Sequence, residues 1–151
     1  GIERSTVSMT AASSFLLALA LAMSSAPPDL APCPRTPNCV STQAADPDKQ
    51  MAPIPFTGDL DTARTRLLAM LSHESRVEIV EARTDYVHAV FTSLVFRFKD
   101  DVEFAFDAEA KVVHFRSASR VGRGDFGANR RRMERLTSRF LELEILEFEP
   151  Q

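Results

Sequence analysis

The chain has 151 residues, a length that predicts one domain with additional segments. Hydrophobic residues make up 44% of it and charged residues 26%, which is an ordinary globular composition. The net charge of −3 and a pI near 5.6 argue against a nucleic-acid-binding protein, because such domains are normally basic overall.

The amino-terminal segment has the pattern of an export signal. Its apolar run, Ser14–Met23, is too short for a membrane span, which takes about 20 residues. Small residues follow at positions 24–26, as a cleavage site requires, although Arg4 is the only basic residue ahead of the run. We interpret residues 1–26 as a signal that exports the protein to the periplasm or cell envelope. An uncleaved membrane anchor and a buried helix are the alternatives.

Residues 27–56 contain eight of the nine prolines. Proline fixes φ and lacks an amide donor, so this region is predicted to be neither helix nor central strand. We expect an irregular strap that lies over the domain.

Two cysteines, Cys33 and Cys39, lie six positions apart in the strap. In an exported protein this pattern predicts a disulfide. A zinc site takes about four ligands and no His or further Cys lies nearby, so we predict no metal. Lipidation of Cys33 is a third interpretation, with the preceding Pro32 counting against it.

Residues 57–148 have the pattern of a single α+β domain. A helix is predicted from Asp59, a suitable N-cap, to His73, because its apolar residues recur at helical spacing. The period then changes to that of strands, which are predicted at Val77–Arg83, Tyr86–Leu94 and Val95–Phe98.

Two further strands are predicted to form a hairpin around a four-residue loop at 108–111. The stretch DDVEFAFD alternates cleanly, and so does KVVHFRSASR. This loop length pairs Phe104 with Phe115 and Glu103 with Arg116, so that apolar and oppositely charged partners agree in one register.

The last helix is predicted from Asp125, as N-cap, to about Glu144. Its apolar face comprises Phe126, Met133, Leu136, Phe140 and Leu143. The fold class is therefore α+β: an antiparallel sheet of four to five strands covered by two helices and preceded by the Pro-rich strap.

Three segments carry a resemblance when they are taken together. They are CPRTPNCVSTQA in the strap, DDVEFAFD in the middle, and SRVGRGDFGANRRRMERL after the last predicted strand. Their order and spacing resemble the family of proteins of unknown function DUF1499, over roughly Pro32 to Phe140. The resemblance implies a small exported or membrane-associated protein and no established biochemical activity.

The segment SRVGRGDFGANRRR, residues 119–132, places arginines at the start of a helix. A helix N-terminus is electropositive and disfavours cations, so these arginines need another explanation. The segment lacks the Gly-Lys-Ser/Thr ending of a phosphate-binding loop and is not a dinucleotide fingerprint.

Two interpretations of this segment stay open, and solvated side chains with no partner are a third for Arg131 and Arg132. In the first, helix amides and arginine side chains bind an external anion. The candidate ligand-binding residues are then Arg120, Arg123, Asp125, Asn129 and Arg130. In the second, the arginines pair with carboxylates of the domain itself, such as Asp100 and Asp101.

We predict a non-enzymatic binding or accessory module that recognises an anionic group: a lipid headgroup, an acidic metabolite or an acidic partner. An anionic membrane surface or an envelope protein is the expected partner, with no nucleic acid and no cofactor. One alternative is a small hydrolase-like enzyme using Asp125 or His114, although Ser117 and Ser119 are predicted on the strand face opposite His114. A second is a structural envelope protein whose arginines brace the fold.

Overall fold

Two helices and six strands make up the described part of the chain. The computed structural model describes residue 2 and residues 26–149, so the predicted export segment Ser14–Met23 lies outside the described residues. In chain order the elements are β1 (Cys39–Ser41), β2 (Ile54–Pro55), α1 (Leu60–Ser72), β3 (Val77–Ala82), β4 (Tyr86–Thr92), β5 (Lys99–Asp107), β6 (Val112–Ser119) and α2 (Ala128–Phe148).

All six strands form one antiparallel sheet in the order β1-β6-β5-β4-β3, with β2 also paired to β6. The predicted α+β class is confirmed. The sheet has more strands than the predicted four to five because the strap itself contributes β1 and β2, which pair with successive parts of β6.

The core lies between one face of the sheet and the two helices. Phe104 and Phe115 on neighbouring strands are fully buried beneath Leu67 of α1 and Phe140 of α2. Burying each such side chain contributes about 1.5–3 kcal/mol relative to leaving it exposed. The hydrophobic effect on these residues therefore fixes how both helices sit on the sheet.

The β5–β6 hairpin has the predicted register. Phe104 is paired with Phe115 and Glu103 with Arg116. An Arg116 Nη1–Glu103 Oε2 distance of 3.3 Å makes the second pair an ion pair. It lies on the face of the sheet that points away from the helices.

The strap crosses that second face of the sheet. Leu30 packs on Tyr86 and on Ala105, which lies on this second face of the sheet and is nevertheless fully buried. Further along the strap, the Pro32 carbonyl accepts a hydrogen bond from Arg116. The strap therefore covers part of a face that the alternation alone would leave in solvent.

Two predicted elements are wrong in detail. Val95–Phe98 is a loop, closed by a 2.9 Å hydrogen bond from the Ser93 amide to the Phe98 carbonyl. The last helix begins at Ala128, and Phe126 precedes it with a positive φ of 53° and a 99% exposed side chain. Phe126 therefore does not belong to the apolar face of α2.

Candidate functional site

Two loops leave the sheet side by side at one end. The β4–β5 loop follows Thr92, which is paired with Lys99, and the β6–α2 loop follows Ser119, which is paired with Asp100. The Arg120 amide donates to the Lys99 carbonyl at 3.0 Å, which ties the two loops together. We call residues 93–99 and 120–127 the loop end.

Asp125 is bound by the start of α2. Its Oδ1 accepts from the Gly127 amide at 2.8 Å, as the predicted capping role requires, and its Oδ2 accepts from the Asn129 amide at 3.0 Å and from Asn129 Nδ2 at 2.7 Å. Burial opposes ionisation of this carboxyl, but the hydrogen bonds from Asn129 and Gly127 outweigh it and hold the pKa of Asp125 below its usual value. The helix N-terminus therefore holds an anion that the chain itself supplies.

Asn129 is fully buried and joins four parts of the chain. Its Oδ1 accepts from Ser117 at 2.7 Å and from Arg132 at 2.8 Å, while its Nδ2 contacts Ser119, Asp125 and the Asn38 carbonyl. Asn129 has no exposed surface from which to contact a ligand. Its place in the fold is structural.

Arg120 turns to the second face of the sheet, away from Asn129. Its Nε and Nη2 donate to the two oxygens of Asp101 at 2.8 and 2.9 Å. His88 Nε2 lies 2.8 Å from Asp101 Oδ1. The hydrogen bonds from Arg120, and then from His88, lower the pKa of Asp101 despite partial burial.

A second carboxylate on the same face is bound by Tyr86 and Arg116. The Tyr86 hydroxyl donates to Glu103 Oε1 at 2.7 Å. Burial, together with that bond, raises the pKa of Tyr86 above its usual value. This face of the sheet thus carries a set of polar pairs, in which the buried Nε of Arg116 is left without a hydrogen-bond partner among the described residues.

The three consecutive arginines of α2 also have partners within the chain. Arg130 donates to the Asp48 carbonyl of the strap at 2.8 Å, and Arg131 donates to the Phe126 carbonyl. Arg132 donates to Asp100 Oδ2 at 2.5 Å and lies over the Phe91 ring. Asp100 was among the carboxylates expected to pair with them.

A concavity of about 290 Å³ lies between the strap and the start of α2. Asp48, Asp125 and Arg130 line it. Two carboxylates beside one guanidinium do not favour an anion there. The five candidate residues therefore do not converge: Asp125 and Asn129 are bonded to each other, Arg120 lies on the other sheet face, and Arg130 holds the strap.

Arg123 differs from the other candidates. It is exposed in the loop end, and no described residue donates to or accepts from its side chain. Arg97 and Lys99, in the neighbouring loop, are exposed in the same way, and no ion pair joins any of the three to a carboxylate of the described residues. Three cations therefore face solvent at one end of the sheet.

The same end exposes large apolar side chains. These are Leu94, Val95, Phe96, Phe98, Val121 and Phe126, each with half or more of its surface in solvent. The rings of Phe96 and Phe98 stack on each other with centroids 5.5 Å apart. The strand predicted at Val95–Phe98 does not reveal this cluster, because a strand within the sheet would bury Phe96 and Phe98 on one face.

The candidate catalytic histidines have structural partners. His114 Nδ1 lies 3.0 Å from the strap hydroxyl of Thr42, whereas Ser117 faces α2 and bonds Asn129. His114 and Ser117 therefore lie on opposite faces of β6, as predicted. Within residues 26–149, no three His, Cys, Asp or Glu side chains are grouped as a metal site would need.

Cys33 and Cys39 form the predicted disulfide. A disulfide suits an oxidising compartment, such as one outside the cytosol. Among the described residues, neither helix combines the length and hydropathy that crossing a membrane would take.

A comparison with family models finds one match, over residues 29–140, to the family described as "Protein of unknown function (DUF1499)". The matched region includes the strap, the whole sheet and the first half of α2. No curated protein and no solved structure shows significant similarity to the chain.

Proposed function

Since the chain belongs to the DUF1499 family of proteins of unknown function, its activity has to be argued from its own residues, and we propose that it is a non-enzymatic binding module for an anionic group. The binding face is the loop end. The protein works after export, which is supported by the apolar run Ser14–Met23 and by the disulfide in the strap.

One observation carries the proposal: the basic residues at and next to the loop end divide into two classes. Arg120 and Arg132 are paired with aspartates, and Arg130 holds the strap. Arg97, Lys99 and Arg123 are exposed at the loop end without a carboxylate partner in the described chain. Exposed guanidinium groups of this kind bind carboxylate or phosphate oxygens, often two at a time.

The set of ligand-binding residues changes accordingly. Arg123 stays in it, and Arg97 and Lys99 join it. Arg120, Asp125, Asn129 and Arg130 support the loop instead: Asp125 and Asn129 fix the start of α2, and Asn38 Nδ2 donates to the carbonyls of Val121 and Gly122.

A structural role for the remaining arginines is the second candidate, and the contact from Arg130 to the Asp48 carbonyl favours it. The two candidates concern different residues. A protein that only braces its own fold has no use for the unpaired cations of the loop end, so those cations discriminate between the two functions.

Calorimetric titration of the full chain with pyrophosphate tests the proposal. We expect binding, and we expect Arg97→Ala with Arg123→Ala to weaken it by roughly a hundredfold or more, because each charge-assisted hydrogen bond contributes about 1.5–3 kcal/mol. The matched control is Arg64→Ala with Arg139→Ala, which removes two arginines outside the loop end, one half-buried and one exposed, and should leave the affinity unchanged. Equal losses in both double variants, or no binding at all, would contradict the proposal.

A further inference from the structure

We infer that the loop end docks on the surface of an anionic lipid bilayer, with its apolar side chains inserted among the lipids and its cations at the headgroups. This inference rests on the proposed function, and it names the source of the anion. Recognition of an anion alone gives the exposed apolar side chains of the loop end no role, whereas docking on a bilayer does.

The apolar side chains are exposed to a degree that is unusual for a folded domain. Phe126 is 99% exposed, Val95 76% and Phe96 73%. Single apolar residues on a surface are ordinary, but several large ones gathered on two joined loops mark an interaction site. These residues are therefore expected to leave water when the protein meets its partner.

The backbone holds the loops out from the domain. Ser93 closes the β4–β5 loop through its amide and its hydroxyl, which bond the carbonyl and the amide of Phe98 at 2.9 Å each. Asn38 holds the β6–α2 loop through two carbonyls. Both loops are thus fixed in shape with their apolar side chains already directed into solvent, so binding orders little additional chain.

The charges suit an anionic surface. Arg97, Lys99 and Arg123 lie among the apolar residues, and each cation near an anionic membrane surface strengthens binding by roughly fivefold. Asp48 of the strap lines the concavity beside Gly124 and Phe126. Four other carboxylates near the loop end are already bound within the protein. They are Glu74 on Arg135, Asp100 on Arg132, Asp101 on Arg120, and Asp125 on the start of α2.

A second copy of the chain suits this surface less well. In a symmetric dimer the same patch would face itself, which would bring the cations of both copies together. A bilayer accepts projecting side chains without a preformed cavity and places phosphates beside the cations. The combination of projecting aromatic residues and unpaired cations therefore favours the lipid surface.

The chain contains no tryptophan, so one introduced tryptophan reports on its own surroundings. In the full chain, Phe96→Trp places the reporter in the loop end, and Phe148→Trp places a matched, 66% exposed reporter at the last residue of α2, the opposite end of that helix. Fluorescence is recorded with vesicles of phosphatidylcholine alone and with vesicles that also contain phosphatidylglycerol. Because each reporter is local, contact of the amino-terminal apolar run with the vesicles does not mimic the result.

We expect the emission of Phe96→Trp to shift to the blue, and to be quenched by brominated lipid, only when phosphatidylglycerol is present. The emission of Phe148→Trp should not change. Adding Arg97→Ala and Arg123→Ala to the Phe96→Trp chain should weaken vesicle binding, as followed by this emission change, roughly 25-fold, at about fivefold for each cation. Adding Arg64→Ala and Arg139→Ala instead should leave the response in place.

Two outcomes would overturn the inference. An unchanged Phe96→Trp spectrum with phosphatidylglycerol vesicles would show that the loop end does not dock on a bilayer. If pyrophosphate still binds the loop end in that case, the proposed function survives. If pyrophosphate does not bind either, both the inference and the proposed function fail. A blue shift that grows with protein concentration in the absence of lipid shows that a second copy covers the patch instead.

Discussion

At the scale of single residues, the arginines at the start of α2 are explained by the carboxylates around them. Asp125 occupies the helix N-terminus and Asp100 lies against Arg132. Placing cations near a positive helix end costs less than about 1 kcal/mol each, and nearby carboxylates offset that cost. The arginines can therefore sit there and still contribute to stability.

Asn129 is predicted to be one of the most sensitive positions in the chain. Asn129→Ala would remove the acceptor of the Ser117 hydroxyl and the donor to the Ser119 hydroxyl, and each lost partner costs about 1–3 kcal/mol. We expect a clear fall in the free energy of unfolding, measured with urea. A stability change below 0.5 kcal/mol, the range of ordinary surface substitutions, would contradict this assignment.

Arg132 and Asp100 form the best-shielded ion pair at the start of α2. Arg132→Met alone leaves a buried carboxylate unpaired and should cost about 3–5 kcal/mol. Changing both residues, Arg132→Met with Asp100→Asn, should cost less than the single change because no buried charge remains. Chemical denaturation of the two variants checks this order, and the reverse order would show that Asp100 does not depend on Arg132.

The stability of the protein should fall in acid. The pKa of Asp101 is lowered by hydrogen bonds from Arg120, and that of Asp125 by hydrogen bonds that outweigh its burial. A carboxyl with a lowered folded pKa contributes fully above its unfolded value of about 3.9 and loses that contribution as the pH falls through the folded value. Urea unfolding at descending pH should therefore show a decline that starts near pH 4 and is shallower in Asp101→Asn. An unchanged slope in that variant would show that Asp101 does not carry the effect.

At the scale of elements, the β5–β6 hairpin was predictable because two independent patterns agreed. Apolar alternation put Phe104 beside Phe115, and charge put Glu103 beside Arg116. The stretch 95–98 has the same alternation, yet it forms a loop, because alternation describes polarity and does not specify a partner strand. A local bond between Ser93 and Phe98 decided that case.

The candidate site was predictable only where a contact is local in the sequence. The predicted hydrogen bond from the Gly127 amide to the Asp125 carboxylate follows from local sequence and is confirmed, but the N-cap is Gly127 and not Asp125, because α2 begins only at Ala128. The pairing of each arginine depends on distances across the fold: Arg130 and Asp48 are 82 positions apart in the chain. No local pattern identifies Arg123 as the arginine left without a partner.

The two phenylalanine-rich elements are predicted to respond differently to substitution. Phe104 is fully buried on β5, so Phe104→Ala should cost about 3–5 kcal/mol. Phe96 is exposed in the loop, so Phe96→Ala should change stability by less than about 0.5 kcal/mol. Thermal unfolding of both variants tests the contrast, and a comparable loss for Phe96→Ala would mean that its loop supports the core.

At the scale of the whole molecule, the sheet separates three kinds of surface. One face holds the core under the two helices. The other face carries polar pairs beneath the strap. The loop end alone combines large exposed apolar groups with cations that no described carboxylate neutralises. The fold thus pairs Arg120 and Arg132 with aspartates and leaves Arg97, Lys99 and Arg123 exposed where we propose that it binds.

The location of the anion is the point on which this account depends. Backbone amide chemical shifts of the isotope-labelled full chain, followed during titration with pyrophosphate, measure it residue by residue. We predict changes confined to residues 94–99 and 121–124. Changes centred on the concavity beside Arg130, or on the strap near Lys49, with none at the loop end, would contradict the account.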